Sequence, residues 1–561
     1  MRISSLSLAA LLAATLAAAP VLAATDSGPI SPARLSSHVK VLADSKLAGR
    51  SPGGPGEAGT IAYIVSQFKA AGAKPAGDPS DGKGGWTQAV PLIRFTVGAD
   101  AKFSLTAGGK TQALAETKEI MAWTQRPTDR VTIEAAPLVF VGYGVTAPER
   151  GWDDFKGVDL KGKIAVILIN DPDFEAQVGE PVAGKFGGKA ATYYGRWIYK
   201  FEEAARRGAL GALIVHETAG AAYPWSTVVA SNGESFDVVR PDPTAIHPAL
   251  QGWMQRDIAV ELFKASGLDF EAQKRAARTA AFRPVPLTGA SFSADVGVKT
   301  TRLMSHNVLA QIPGAKRPKE SVMFGAHWDA FGIGPPDATG DTVRHGAIDD
   351  GMGVAGVLEI ARAFAKGPKP DRSIVFGVWT AEERGLLGSE YYAQHPKFPL
   401  ATTAGNFTLD VVQTAGAAHD VVLVGAGQDS LEADLAKAAA RQGRSITPDP
   451  HPEKALFYRA DHFSVAKRGV PTILIMGMAA GHDLVKGGRE AGDRWVNDYT
   501  TRCYHQVCDN WSPDWDLTGA AQDIDLLYVV GRDLANSTRW PDWNAGSEFK
   551  ALRAKTAGQR K

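Results

Sequence analysis

The chain has 561 residues, enough for two to four domains at about 150 residues each. Its 61 basic and 60 acidic residues leave a net charge of +1, and no dense Lys/Arg block is present. No global field therefore favours nucleic acid or an anionic membrane, and any partner must be found through a local site.

The first 23 residues, MRISSLSLAALLAATLAAAPVLA, carry one cation at Arg2, an apolar run from Leu6 to Ala18, and small residues before Ala24. That pattern predicts a cleaved secretory signal. The run is too apolar all round for a surface helix and too short to span a bilayer, and no later stretch of about 18 apolar residues appears. The expectation is an exported protein, periplasmic or secreted, without a membrane anchor. The only two cysteines, Cys503 and Cys508, lie close together in CYHQVC. In an oxidising compartment they are expected to close a small loop, with two buried thiols as the alternative.

In residues 57–71, Ile61, Ile64, Val65 and Phe68 recur at helical spacing, which predicts an amphipathic helix after the breaker SPGGPGE. From about 90 to 136 the pattern changes to short alternating strands such as AKFSLTA and RVTIEA. PLVFVGYGV, GKIAVILIN and GALIVHE then read as buried strands, with a helix near Trp197 to Arg207, so this region predicts a small mixed α/β unit. The loop AAYPWSTVVASNGES is expected to be a connection. From about Thr300 strands and helices alternate: HNVLAQI, SVMFGAH, VAGVLEIARAFA, RSIVFGVWT, GNFTLDVV, DVVLVGA, SLEADLAKAAARQG and VPTILIM. The predicted fold class is α/β, with a mostly parallel central sheet flanked by helices.

Ligands of open α/β sheets collect beyond the carboxyl ends of the strands. Acids and histidines gather at those predicted ends: His327 and Asp329 after SVMFGA, Asp349 and Asp350 in GAIDDGMG, Glu382 and Glu383 after RSIVFGVWTA, and Asp410 after GNFTL. Each alone has a bland reading, since a lone acid is usually solvated or caps a helix. Together they offer carboxylate oxygens and imidazole nitrogens suited to zinc or a similar divalent cation. Two such ions about 3.5 to 4 Å apart need a carboxylate between them.

GAHWDAFG, GAIDDGMGVAGVLEIAR, WTAEERGLLGSEYY, FTLDVVQTAG and YHQVCD resemble, in order and over roughly 180 residues, the active-site motifs of the co-catalytic zinc aminopeptidase and glutamate carboxypeptidase family, which also includes the transferrin receptors. LADSKLAGRSPGGPGE is similar to the family's beginning, and about 131 to 290 to its inserted protease-associated domain. The implied organisation is a signal at 1–23, an N-terminal part of the peptidase domain at 24–130, the insertion at 131–290, the main peptidase part at 291–545 and a polar tail at 546–561. The resemblance implies two zinc ions per subunit, with His327 and Asp410 on one, Glu383 and His505 on the other, and Asp349 between them. It implies Asp329 as the group orienting His327, Asp350 at a non-proline cis peptide, and Glu382 as general base. Tyr504 is the implied oxyanion donor and Tyr458 its competitor, while Tyr458, Arg459, Asp461 and His462 are candidate substrate contacts or plain loop residues.

The activity this implies is hydrolysis of a peptide substrate at its N-terminal residue. A carboxypeptidase acting on N-blocked peptides is the alternative, mildly favoured by Arg459. A glutaminyl cyclase and a non-catalytic binding protein are weaker readings, because every expected ligand is present. Oligomeric state is left open.

Overall fold

The computed structural model describes residues 29–80, 83–230 and 233–560, so the segment read as a signal lies outside the described residues. Where the sequence predicts strand and helix alternation, four strands run parallel. Arg317–His327 pairs with Arg372–Trp379 and with Thr403–Asp410, and the last pairs with Thr472–Met476. The last three are buried along their whole length, as expected for strands covered on both faces. In register, His327 sits beside Trp379, and Asp410 beside Met476. The carboxyl ends of these strands thus meet along one edge of the sheet.

Five described helices cover this sheet and share its core: Pro32–Leu42, Glu57–Ala71, Met352–Lys366, Leu431–Arg441 and Thr518–Asn536. The second has the bounds its apolar spacing predicts, and Gly72 ends it at φ 90°. At the core's centre, Phe324 stacks on Phe376 and Phe407 of its neighbouring strands, with ring centroids 6.1 and 5.3 Å apart. Phe364 of the helix beginning at Met352 closes over it at 5.8 Å. Truncating such a side chain to alanine costs about 3 to 5 kcal/mol, so the strands that carry the acids are firmly held.

HNVLAQI differs from its expectation as a separate strand. It is the end of one 28-residue strand, Val285–Ile312. The first half pairs antiparallel with Lys102–Ala107 and Arg130–Phe140, and the second half with Thr87–Val97 and Arg372–Trp379. The sheet is consequently mixed, parallel around the acids and antiparallel where this strand borders it. Beyond the shared strand, Arg130–Phe140, Ile164–Leu168, Gly211–His216 and Leu250–Gln255 form a second parallel group. That group has its own apolar core with the helix Arg256–Ala265, and the Trp197–Arg206 helix packs beside it. No described helix is long and apolar enough to cross a membrane.

Candidate metal centre

His327 and Asp410 close their strands, while Glu382 and Glu383 lie just past Trp379, before the helix Leu387–Gln394. Asp349 comes from the loop leading into Met352–Lys366, and His505 from the short loop closed by the Cys503–Cys508 disulfide, whose Cα atoms are 5.0 Å apart. Asp349 is divided between two neighbours. Its Oδ1 is 3.1 Å from His327 Nε2 and its Oδ2 is 3.2 Å from His505 Nε2. Glu383 Oε2 is 3.1 Å from the same His505 nitrogen, whereas Glu382 Oε2 approaches His327 Nε2 to 3.9 Å. The adjacent glutamates therefore point to opposite sides, which a solvated helix start would not require; both side chains are less than a tenth exposed.

Two groups of potential ligands result, His327 with Asp349 and Asp410, and Asp349 with Glu383 and His505, each with its donor atoms within 4.8 Å of one another. Their chemistry fits two zinc ions sharing one carboxylate. His505 Nε2 lies between the carboxylates of Asp349 and Glu383 without hydrogen-bond geometry to either.

The backbone is contorted at these positions. Ala381 before Glu382, Val411 after Asp410, and His505 itself have φ values of 52°, 51° and 61°. Left-handed non-glycine residues cost energy and persist where surrounding structure enforces them, commonly at functional sites. The Asp349–Asp350 peptide is cis. Asp350 Oδ1 accepts from Gly353 N at 2.9 Å and Oδ2 from His327 N at 3.2 Å, so Asp350 ties the helix start to the strand end. Asp509, the last residue of YHQVCD, accepts from the amides of Ile348 and Asp349 at 2.8 and 3.1 Å. Nothing in the motif alone points to Asp509, whose part depends on the fold.

Burial dominates the electrostatics. It pushes Glu382 and Asp350 well above the usual carboxylate range, Asp410 up to about 8, and Asp461 and Asp509 up to about 7. Asp349 is the exception: burial raises it, but His327 and His505 outweigh that and lower it. Burial lowers His505, yet Glu383 and Asp349 bring it up to about 10. The pocket holds more acid than its two histidines neutralise, an arrangement suited to cations.

Several expected roles come out differently. Asp329 orients His327 through its backbone carbonyl, 3.1 Å from Nδ1; its carboxylate stands 3.7 Å away and Oδ1 accepts instead from Glu382 N at 3.0 Å. Tyr458 donates to the side-chain carboxylate of Glu548 at 2.8 Å, which gives its buried hydroxyl an acceptor. His462 has no exposure and packs edge-on against Phe457 with centroids 4.7 Å apart, and burial pushes it down to about 3, so it lies in the core. Tyr504 stacks on His505 with centroids 3.7 Å apart, and burial and the charge of Asp349 hold its hydroxyl protonated. Asp461 is buried with Oδ1 unpartnered, and Arg459 is exposed.

Residues 307–529 match Peptidase family M28. Over these residues the chain is similar to that family. A leupeptin-inactivating enzyme of Streptomyces exfoliatus is 29% identical over 210 residues, covering 36% of this chain and 43% of the relative. A probable zinc metalloprotease of Pyrenophora teres f. teres is 40% identical over 105 residues, covering 19% and 22%. The chain thus spans less than half the length of these curated relatives. The solved aminopeptidase from Aneurinibacillus sp. strain AM-1 is similar with a TM-score of 0.46 at 22% identity, covering 89% of this chain and 94% of that one.

Proposed function

We propose that the chain is an exported two-zinc exopeptidase that removes the N-terminal residue of peptides. The carrying observation is the division of Asp349, with one oxygen toward His327 and the other toward His505. In this reading His327 and Asp410 hold one zinc, Glu383 and His505 the other, and Asp349 both. Bound zinc supplies Lewis-acid charge at the scissile carbonyl and lowers the pKa of water toward about 7. Glu382 takes a proton from the attacking water on its carboxylate and returns it to the leaving amine. The Tyr504 hydroxyl, kept protonated, donates to the developing oxyanion. The unpartnered Oδ1 of Asp461 and the surrounding carboxylates favour a substrate ammonium. The Cys503–Cys508 bridge supports export, and the separate core to which 131–290 contributes, together with residues from Ile93 to Ala122 and from Phe292 to Val298, supports reading that segment as part of an inserted protease-associated domain.

Cleavage of a peptide library with free and blocked ends, together with zinc analysis, tests this. We expect two zinc per chain and release of residues only from free N-termini. A chain fully active without metal, or one indifferent to N-terminal blocking, would sink it.

A second reading, a carboxypeptidase, is favoured by Arg196 and Arg459. Tyr193 stacks on Tyr458 with centroids 6.4 Å apart, which places these two arginines on one seam between the 131–290 segment and the catalytic strands. Arg196 Nε is buried without a partner, and burial and the charge of Arg459 lower Arg196 to about 10. Neither guanidinium has a carboxylate partner among the described residues, and Tyr223 lies in the field of both. A substrate carboxylate would satisfy them. Cleavage of N-acetylated library members that is lost in Arg459→Ala would select this reading over the first.

A further inference from the structure

Arg50 ends the sequence LADSKLAGR and is far along the chain from every residue given a role above. Its side chain is fully buried, yet among the described residues no carboxylate forms an ion pair with it. The guanidinium donates to four backbone carbonyls instead. Nε reaches Trp328 O at 2.7 Å, Nη1 reaches Leu42 O at 2.7 Å and His345 O at 2.5 Å, and Nη2 reaches Gly346 O at 2.6 Å. Trp328 separates His327 from Asp329, and His345 and Gly346 open the loop that carries Asp349. Ala330 N donates back to Arg50 O at 3.3 Å.

The local backbone is built for this reach. Ala48, Gly49 and Arg50 are all left-handed, with φ of 48°, 64° and 47°. A Cβ on Gly49 would meet Gly332 O at 2.5 Å, and one on Gly346, itself at φ 55°, would meet Arg50 Nη2 at 2.8 Å. Two glycines thus allow the arginine and its target loop to close on each other. A planar fork with five donors can span three separate segments, whereas a lysine ammonium presents its donors from one point. Asp509, Asp329, Asp350 and Asp349 are the acids whose charge it feels.

We infer that Arg50 is a positioning residue for the metal centre, fixing the strand end of His327 against the loop of Asp349 and setting a permanent positive charge beside the carboxylates. This rests on the two-zinc reading. An arginine that served folding alone would affect stability without changing how metal is held.

The test compares wild type with Arg50→Lys in the full chain, using zinc affinity by chelator competition, the visible spectrum of the cobalt-substituted protein, and thermal unfolding. Supporting groups around metal ligands typically carry about 10- to 100-fold in affinity, and a weakening of that size with an altered cobalt spectrum is expected. Guanidinium added to Arg50→Ala should restore part of the affinity. A folded lysine variant with wild-type zinc affinity and cobalt spectrum overturns the inference, whatever its melting temperature. If neither variant folds, hydrogen exchange on the unsubstituted protein decides. Coupling is reciprocal, so zinc loading should slow exchange around 43–50 as well as 328–330. Unchanged exchange at 43–50 overturns the inference. A chain that binds zinc in an Arg50-dependent way but cleaves no peptide refutes the peptidase reading alone.

Discussion

Two regions of this molecule bury charge, and they do so in opposite ways. In the segment 131–290, Lys200 is fully buried between Asp154 and Asp171, and its ammonium donates to Tyr143 O and Asn170 O at 2.6 and 2.9 Å. Asp171 accepts in turn from the amide and hydroxyl of Thr192. That cluster is closed: its cation is held by backbone carbonyls and lies in the field of both acids. At the parallel strand ends, Asp349, Asp350, Glu382, Glu383, Asp410 and Asp461 crowd around two histidines and the guanidinium of Arg50. That cluster is open: its acids outnumber the cations that face them. Buried acids become informative about function when their partners are missing.

The largest expected effect breaks the open cluster. Asp349→Ala removes the carboxylate facing both histidines, and zinc per chain measured by mass spectrometry should fall toward zero, with turnover down by about 10⁴ or more. Glu382→Gln should be cleaner: zinc stays, while turnover drops by about 10² to 10⁴ because an amide cannot accept the proton. Near-normal turnover would remove Glu382 from its role.

The closed cluster should respond in stability and not in metal. Lys200→Met leaves two buried acids uncompensated, and denaturant unfolding should show a loss of about 3 to 5 kcal/mol with zinc content unchanged in the folded protein. Loss of zinc from that folded variant would erase the distinction between the regions.

A pH series sharpens the contrast. Glu359, 1% exposed, meets Arg34 Nε at 2.7 Å and Arg362 Nε at 2.9 Å. Burial raises its pKa, but hydrogen bonds from His38, Arg362 and Arg34 outweigh that and bring it down to about 2. A depressed folded pKa gives stability that is present above the ordinary glutamate range near 4.5 and is lost as pH falls toward about 2, on the order of 3 kcal/mol. Glu359→Gln should flatten that part of the stability profile; an unchanged acid limb would count against the pairing. The smallest effect is expected from replacing both Cys503 and Cys508 by serine, about 2 kcal/mol in unfolding for so short a loop, with weaker zinc binding on the His505 side.

Much of the cleft was readable from the chain because its residues follow strand ends in order, so a linear pattern maps onto one edge of a sheet. The helix 57–71 was readable for a similar reason, since its apolar spacing is local. What stayed hidden depends on contacts between distant segments. The direction of Tyr458 is set by Glu548, and the place of Arg196 by the Tyr193 and Tyr458 rings. Arg50 gave no signal because its partners are backbone carbonyls, which every residue has. The loop holding Tyr223 reads as a connection, yet the structure brings that tyrosine into the field of Arg196 and Arg459.

The strand Val285–Ile312 has a mechanical consequence. It is hydrogen-bonded to the second group of strands at one end and to the catalytic sheet at the other, without a break in the strand. Rotating the 131–290 segment away from the cleft would have to bend this ribbon or shear its ladder. The two halves are splinted like bones sharing one rod.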